Sequence, residues 1–262
     1  MYYHLQETLF TLLAFSLTSE GRDKLLYEKR SLIRICGEIP GTVISISCLG
    51  VLISPRLILT KYECISINRY TIEYVLGGAD KMDCTNGERR NFTFSTDVRV
   101  LHARKRSGDI GLAVISVQEP FETVKPTVLL PKGTEVSSCV TFCSHKIVYV
   151  NEHIVENFVD ETVRKVATSL CPSEEIIDFR LNIVQCLNES IVENPNKICA
   201  LPSLDYFYSL PVVYFAPVFC WGRLYAFTDA LSVRDGLIFE RVSPLLYQIE
   251  RLIRQDNLKR KD

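Results

Sequence analysis

Hydrophobic positions fall in short runs separated by turn-forming residues. Thr42–Ser47, Val51–Thr60, Thr71–Leu76, Asp97–Leu101, Ile110–Val117, Lys146–Val150, Pro211–Phe219 and Leu224–Phe227 all read as strands. Many short strands divided by polar turns predict an all-β sandwich or barrel. One segment breaks this pattern. Between Pro244 and Arg254 the apolar residues Leu245, Leu246, Ile249, Leu252 and Ile253 form a one-sided helical stripe. Ser243 is placed to cap that helix and Pro244 suits its first position. The basic end Lys259-Arg260-Lys261 reads as a solvated terminus.

Near the start, Leu9–Leu17 is an apolar run too short to span a bilayer but long enough for the core of a signal peptide. Small residues Ser16 and Thr18 place cleavage after Thr18, with Ser19 and Gly21 a second choice; Glu7 and the lack of Lys or Arg make the flank atypical, and a buried N-terminal helix is the alternative. The expected division is a leader over 1–18, a short segment over 19–30 and one domain over 31–262. Only about a dozen residues separate leader from first strand, too few for an accessory domain. No later segment reaches membrane-spanning length. The chain is 47% hydrophobic and 23% charged, which excludes disorder as its main state. With 30 Lys+Arg against 31 Asp+Glu, no global charge favours nucleic acid or an anionic membrane. Ten cysteines are the unusual feature; no Cys-x-x-Cys occurs and none of the four histidines stands at a zinc-ligand spacing. Disulfides in an oxidising compartment are the better reading. In that compartment Asn91-Phe92-Thr93 and Asn188-Glu189-Ser190 become glycosylation sequons.

Cys48-Leu-Gly-Val-Leu-Ile-Ser-Pro-Arg-Leu-Ile-Leu-Thr-Lys-Tyr-Glu-Cys64 resembles the trypsin-like serine-protease segment CGGSLISPRWVLTAAHC. Gly108-Asp109-Ile-Gly-Leu-Ala-Val-Ile115 resembles NDIALLKL, and Lys197-Ile-Cys-Ala200 resembles MICAG. Val212–Leu224 lies over GDSGGPLVCNGRL, and Gly236–Ser243 over GVYTRVS. The blocks occur in the family's order across residues 30–255. The resemblance implies two six-stranded antiparallel β-barrels with a C-terminal α-helix and a cleft between the barrels.

It also implies a degenerate site. Catalysis in that family needs a histidine base, an aspartate to hold it, a serine nucleophile and an oxyanion hole. Asp109 keeps the aspartate position, but Glu63 stands at the histidine's and Tyr214 at the serine's. A carboxylate of reference pKa about 4.3 is a poor base for a hydroxyl. Loss of the serine or histidine alone costs on the order of 10⁶ in turnover. Val212 falls at the oxyanion-hole glycine, Val213 at the aspartate that receives a cleaved N-terminus, and Tyr208 at the floor of the specificity pocket. Arg34-Ile35 resembles an activation site but lies too near Cys48, so Ser31–Ile39 reads as the first strand. Two carboxylates at 63 and 109 would repel; a cation or the Tyr214 hydroxyl should compensate, with Tyr214 bonded to Glu63 and plugging the cleft. Two carboxylates without a histidine make a poor metal site, and no cofactor is implied.

The resemblance pairs Cys48–Cys64, Cys186–Cys199 and Cys139–Cys220. The family's bridge beside the nucleophile is lost, its first partner falling at Leu210. Cys36, Cys84, Cys143 and Cys171 remain, with three connectivities open. The implied function is that of a secreted serine-protease homologue without catalysis, binding a protease, inhibitor or receptor as cofactor, decoy or regulator. In that family such homologues serve extracellular cascades, notably in arthropod immunity and reproductive fluids. The alternatives are an active endopeptidase with a misread triad and a structural secreted protein without a specific partner.

Overall fold

The computed structural model describes residues 30–38, 45–66, 71–78, 84, 86–101, 111–142, 178–187, 196–202, 216–232 and 236–258. The predicted run Val51–Thr60 is two strands rather than one. Pro55-Arg56 turns the chain between β2 (Ser45–Ser54) and β3 (Leu57–Lys61), because proline's fixed φ suits a turn and it has no N–H for a ladder. The first strand, β1, runs Leu32–Glu38. It lies between β2 and β4 (Thr71–Gly77), antiparallel to both. Then follow β5 (Glu88–Asn91), β6 (Val98–Leu101) and β7 (Leu112–Ser116).

These strands form a seven-stranded sheet of order β5-β4-β1-β2-β3-β7-β6, where two closed six-stranded barrels were expected. The two edge strands are consecutive in the chain. A short helix, α2 (Phe94–Asp97), interrupts the run between them. The expected sixth strand is thus broken in two, and the sheet curls so that one stretch of chain passes from one edge to the other. Another short helix, α1 (Tyr62–Ile65), follows β3.

The second half closes as expected. β8 (Ser138–Phe142), β9 (Asp178–Val184), β10 (Lys197–Pro202), β11 (Pro217–Cys220), β12 (Arg223–Ser232) and β13 (Gly236–Arg241) make a barrel of order β10-β13-β12-β11-β8-β9. The chain then enters α3 (Leu246–Leu258) through a 3₁₀ turn at Ser243–Leu245. The turn's cap position is Val242, with no side-chain cap bond, so Ser243 does not cap the helix as predicted. Ser243 begins the turn and Pro244 is its second residue, still within the first turn, where its missing N–H leaves no helical bond unmade. The expected strand at Lys146–Val150 lies outside the described residues.

Side-chain alternation divides the core. On β2 and β3, Leu49, Val51, Ile53, Leu57 and Leu59 face the second half and pack with Phe142, Phe219, Phe227, Leu245 and Ile249. Leu52 and Ile58 face the first half's own core with Ile33, Ile35, Val75 and Phe121. Both faces are buried, so apolar residues run without alternation through Leu49–Ile53 (bar Gly50) and Leu57–Leu59. Each such side chain taken from water contributes about 1.5–3 kcal/mol before ordering costs. The connection between the halves bonds to both: Thr127 N–H donates to Leu52 O, and Leu130 N–H to Leu224 O.

Four disulfides are described. Cys36–Cys84 ties β1 to the segment after β4, and Cys48–Cys64 ties β2 to α1. In the second barrel Cys139 bonds Cys220 and Cys186 bonds Cys199. Cys143 and Cys171 lie outside the described residues.

Candidate functional site

Lys61 ends β3. It shares the face of Leu57 and Leu59, so period-two alternation aims it at the second half of the molecule. A lysine there is fully buried, at 0% exposure. Its ammonium meets two carboxylates from the closed barrel: Asp229 Oδ1 on β12 at 2.7 Å and Glu240 Oε2 on β13 at 2.5 Å. Lys197 on β10 binds the other oxygen of Asp229, at 2.5 Å. Glu63, on α1, holds Oε2 3.7 Å from the Lys61 ammonium, an ion pair beyond hydrogen-bond distance. Three carboxylates therefore converge on one buried cation at the junction of the two halves.

Backbone geometry makes the room. Tyr62 N–H donates to Gly111 O at 3.0 Å, and Lys61 pairs with Leu112 across β3 and β7. A methyl on Gly111 would overlap the Glu240 carboxyl atoms. Glycine at 111 is thus what lets a carboxylate from the second half reach a lysine of the first.

The charges reinforce one another. Burial alone would depress the Lys61 pKa, but Glu240, Asp229 and Glu63 outweigh it and hold it above the ordinary lysine value. Burial would raise the Asp229 carboxyl; Lys61 and Lys197 outweigh it and hold it below the usual carboxylate range. At Glu63 burial wins: its pKa is raised, with Lys61 offsetting only part. Lys61, held protonated, has no lone pair to act as base or nucleophile. Glu63 is the most exposed member, its side chain 43% exposed against 23% for Asp229, although the Oε2 that faces Lys61 is itself buried.

Among the sequence-derived site residues, Glu63 lies beside the Cys48–Cys64 bridge, 3.7 Å from the Lys61 ammonium. Asn91 ends β5 and is exposed, its Oδ1 accepting from Arg89 Nε at 3.0 Å. Asp109, Tyr208, Val212, Val213, Tyr214, Asn188 and all four histidines lie outside the described residues, as does the expected Tyr214–Glu63 bond. Sequence reasoning missed Lys61, Asp229, Glu240 and Lys197. One signal was present: Lys61 stands where LTAAHC has alanine. Among the described residues no three His, Cys, Asp or Glu side chains group as metal ligands, and no helix is long and apolar enough to cross a membrane.

No protein family and no curated protein matches the chain by sequence. Solved structures do. The scabies mite inactivated protease paralogue S-I1 superposes with a TM-score of 0.59 at 14% identity, over 86% of this chain and 95% of that one. Human heparin binding protein gives 0.55 at 13%, over 86% and 91%. Mouse neuropsin, a serine protease, gives 0.57 at 13%, over 87% and 96%. At these identities the likeness shows the fold, which is that of the trypsin-like serine proteases.

Proposed function

We propose that this chain, on its trypsin-like fold, is a secreted serine-protease homologue that has lost catalysis and works by binding another extracellular protein as cofactor, decoy or regulator in a proteolytic, immune or reproductive pathway. Residues 1–18 are its leader and 31–262 its homology domain. The observation that carries the reading is the Lys61 cluster. At the place where the resemblance puts a histidine base, the chain has a carboxyl facing a buried lysine whose pKa, against the lowering effect of burial, is raised by the carboxylates around it. A general base must offer a lone pair matched to its proton donor. Neither Glu63 nor Lys61 does so for a hydroxyl nucleophile. The four described disulfides support an oxidising, extracellular setting.

The test is a fluorophosphonate probe applied to the mature protein from a secretory host, with trypsin as positive control. The expected result is no covalent labelling. Labelling abolished by heat denaturation would overturn the reading and restore an active serine hydrolase. Affinity capture from the native secretion should then retain a defined extracellular protein in saturable fashion; binding that never saturates would favour a structural protein instead.

A further inference from the structure

Among the described residues β6 is an edge strand of the first half's sheet, with β7 its one strand partner. Beside this strand runs α3. A cavity of about 200 Å³ lies between the two, and one of about 650 Å³ spreads beside α3 across Leu57 of β3 and Val114 and Ser116 of β7; Arg99 and Leu252 border both. Arg99 stands on β6 and Arg251 on α3, and both line the smaller cavity with Tyr247. Tyr247 is 79% exposed; Phe94 and Leu258 are also exposed nearby in the chain.

The charge imbalance of this groove lies in the smaller cavity. Two carboxylates border the larger one. Asp97 accepts from Thr93 N–H and the Thr96 hydroxyl. Asp256 is held by Arg56 and Ser54. Arg254 pairs with Glu250 at 3.8 Å. Arg99 and Arg251 make no ion pair among the described residues, and the smaller cavity they share has no carboxylate among its described lining residues; Asp97, bonded only to neutral donors, keeps its charge but borders the larger cavity. An open strand edge presents alternate N–H and C=O groups, which an extended segment can satisfy.

We propose that this groove docks an extended acidic peptide segment of a partner protein, added along β6 with a carboxylate set between Arg99 and Arg251. Guanidinium forks suit a carboxylate bidentately. The inference is independent of whether the cleft is catalytic.

The test is fluorescence anisotropy with a fluorescein-labelled peptide of alternating glutamate and valine, titrated with the full mature chain. Saturable binding is expected, weakening with salt and falling on the order of tenfold or more in Arg99→Glu/Arg251→Glu. A glutamine-valine peptide should bind far more weakly. Of two peptides N-methylated at alternate residues, one at every glutamate and one at every valine, the one whose methyls face β6 should lose affinity and the one whose methyls face solvent should keep it. Equal binding by the double variant, or by the glutamine peptide, would overturn the proposal. So would undiminished binding by both N-methylated peptides. A sulfated oligosaccharide that binds through the arginines while the glutamate peptide does not would overturn it in favour of a polysaccharide site.

Discussion

Removing the charge of Lys61 while keeping its length, as Lys61→Met, strands Glu240. Asp229 retains Lys197, but Lys61 is the one ion-pair partner of Glu240 among the described residues. A pair at 2.7 Å, the Lys61–Asp229 distance, attracts by roughly 6 kcal/mol gross at an effective dielectric near 20. Desolvation cancels much of that, so the intact cluster is no large net source of stability. The mutant is decided by the carboxylate left behind, and breaking a buried pair costs about 3–5 kcal/mol. Protonation limits the loss: neutralising a carboxyl of pKa about 4.3 costs about 3.7 kcal/mol at pH 7 and about 1 kcal/mol at pH 5. Lys61→Met should therefore lose about 3–4 kcal/mol at pH 7 and about 1 kcal/mol at pH 5. Lys61→Met/Glu240→Leu should regain most of the loss at pH 7, since both charges go together. Urea unfolding with disulfides intact, followed by far-ultraviolet circular dichroism at both pH values, measures each. A cost below about 1 kcal/mol at pH 7, the same cost at both pH values, or a double variant no better than the single would refute the reasoning.

Asp256→Ala removes the acceptor that seats α3 on Arg56 and Ser54; about 2 kcal/mol of stability should go, with α3 amides exchanging faster than the barrel's, and uniform exchange would contradict a local seat. Trp221 and Gly222 turn the chain between β11 and β12 with φ of 53° and 72°; Trp221→Asn should stabilise by about 1 kcal/mol, because asparagine tolerates that conformation, and a lower melting temperature would mean the indole is held by contacts. Asp229 and Glu88 have lowered pKa values, so their contribution is full above the unfolded value of about 4 and is lost as pH falls through the depressed folded values. Raised Glu63 acts oppositely, strongest in acid, and raised Lys61 contributes below its unfolded value and loses it as pH rises through the folded one; an acid limb unchanged by Asp229→Asn and Glu88→Gln together would contradict the assignment. A non-reducing peptide map of the protein made in a secretory host should show a Cys143–Cys171 bridge and a glycan on exposed Asn91; free thiols at 143 and 171, or unmodified Asn91, would count against each.

Strands were legible wherever alternation or continuous apolar runs exposed the period, and Pro55 marked the division of β2 from β3. The break at Phe94–Asp97 was not legible, because Asp97–Leu101 already reads as strand and the helical turn before it carries no cap bond. Cysteine spacing within a recognisable motif located Cys48 and Cys64. The charge cluster escaped for another reason. Lys61 is 168 residues from Asp229 and 179 from Glu240, and no local pattern links such positions. A lysine at the end of an apolar strand looks like an exposed terminus until a second sheet is packed on it. Gly111 is equally silent alone: its meaning is the carboxylate of a residue in the other half.

Each described disulfide closes within one half: Cys36–Cys84 and Cys48–Cys64 in the first, Cys139–Cys220 and Cys186–Cys199 in the second. A single cut in the connection between β7 and β8 would therefore leave, as far as these bridges go, two fragments joined only by contact. Each would carry half of the Lys61 cluster, half of the shared apolar core and one side of the Arg56–Asp256 clasp. Their union would obey mass action, tightening with concentration and loosening on dilution. The intact protein is in this sense a tethered heterodimer, with the tether supplying the effective concentration. Co-expressed halves should find one another, and a protease acting on that one connection would convert a permanent assembly into a reversible one.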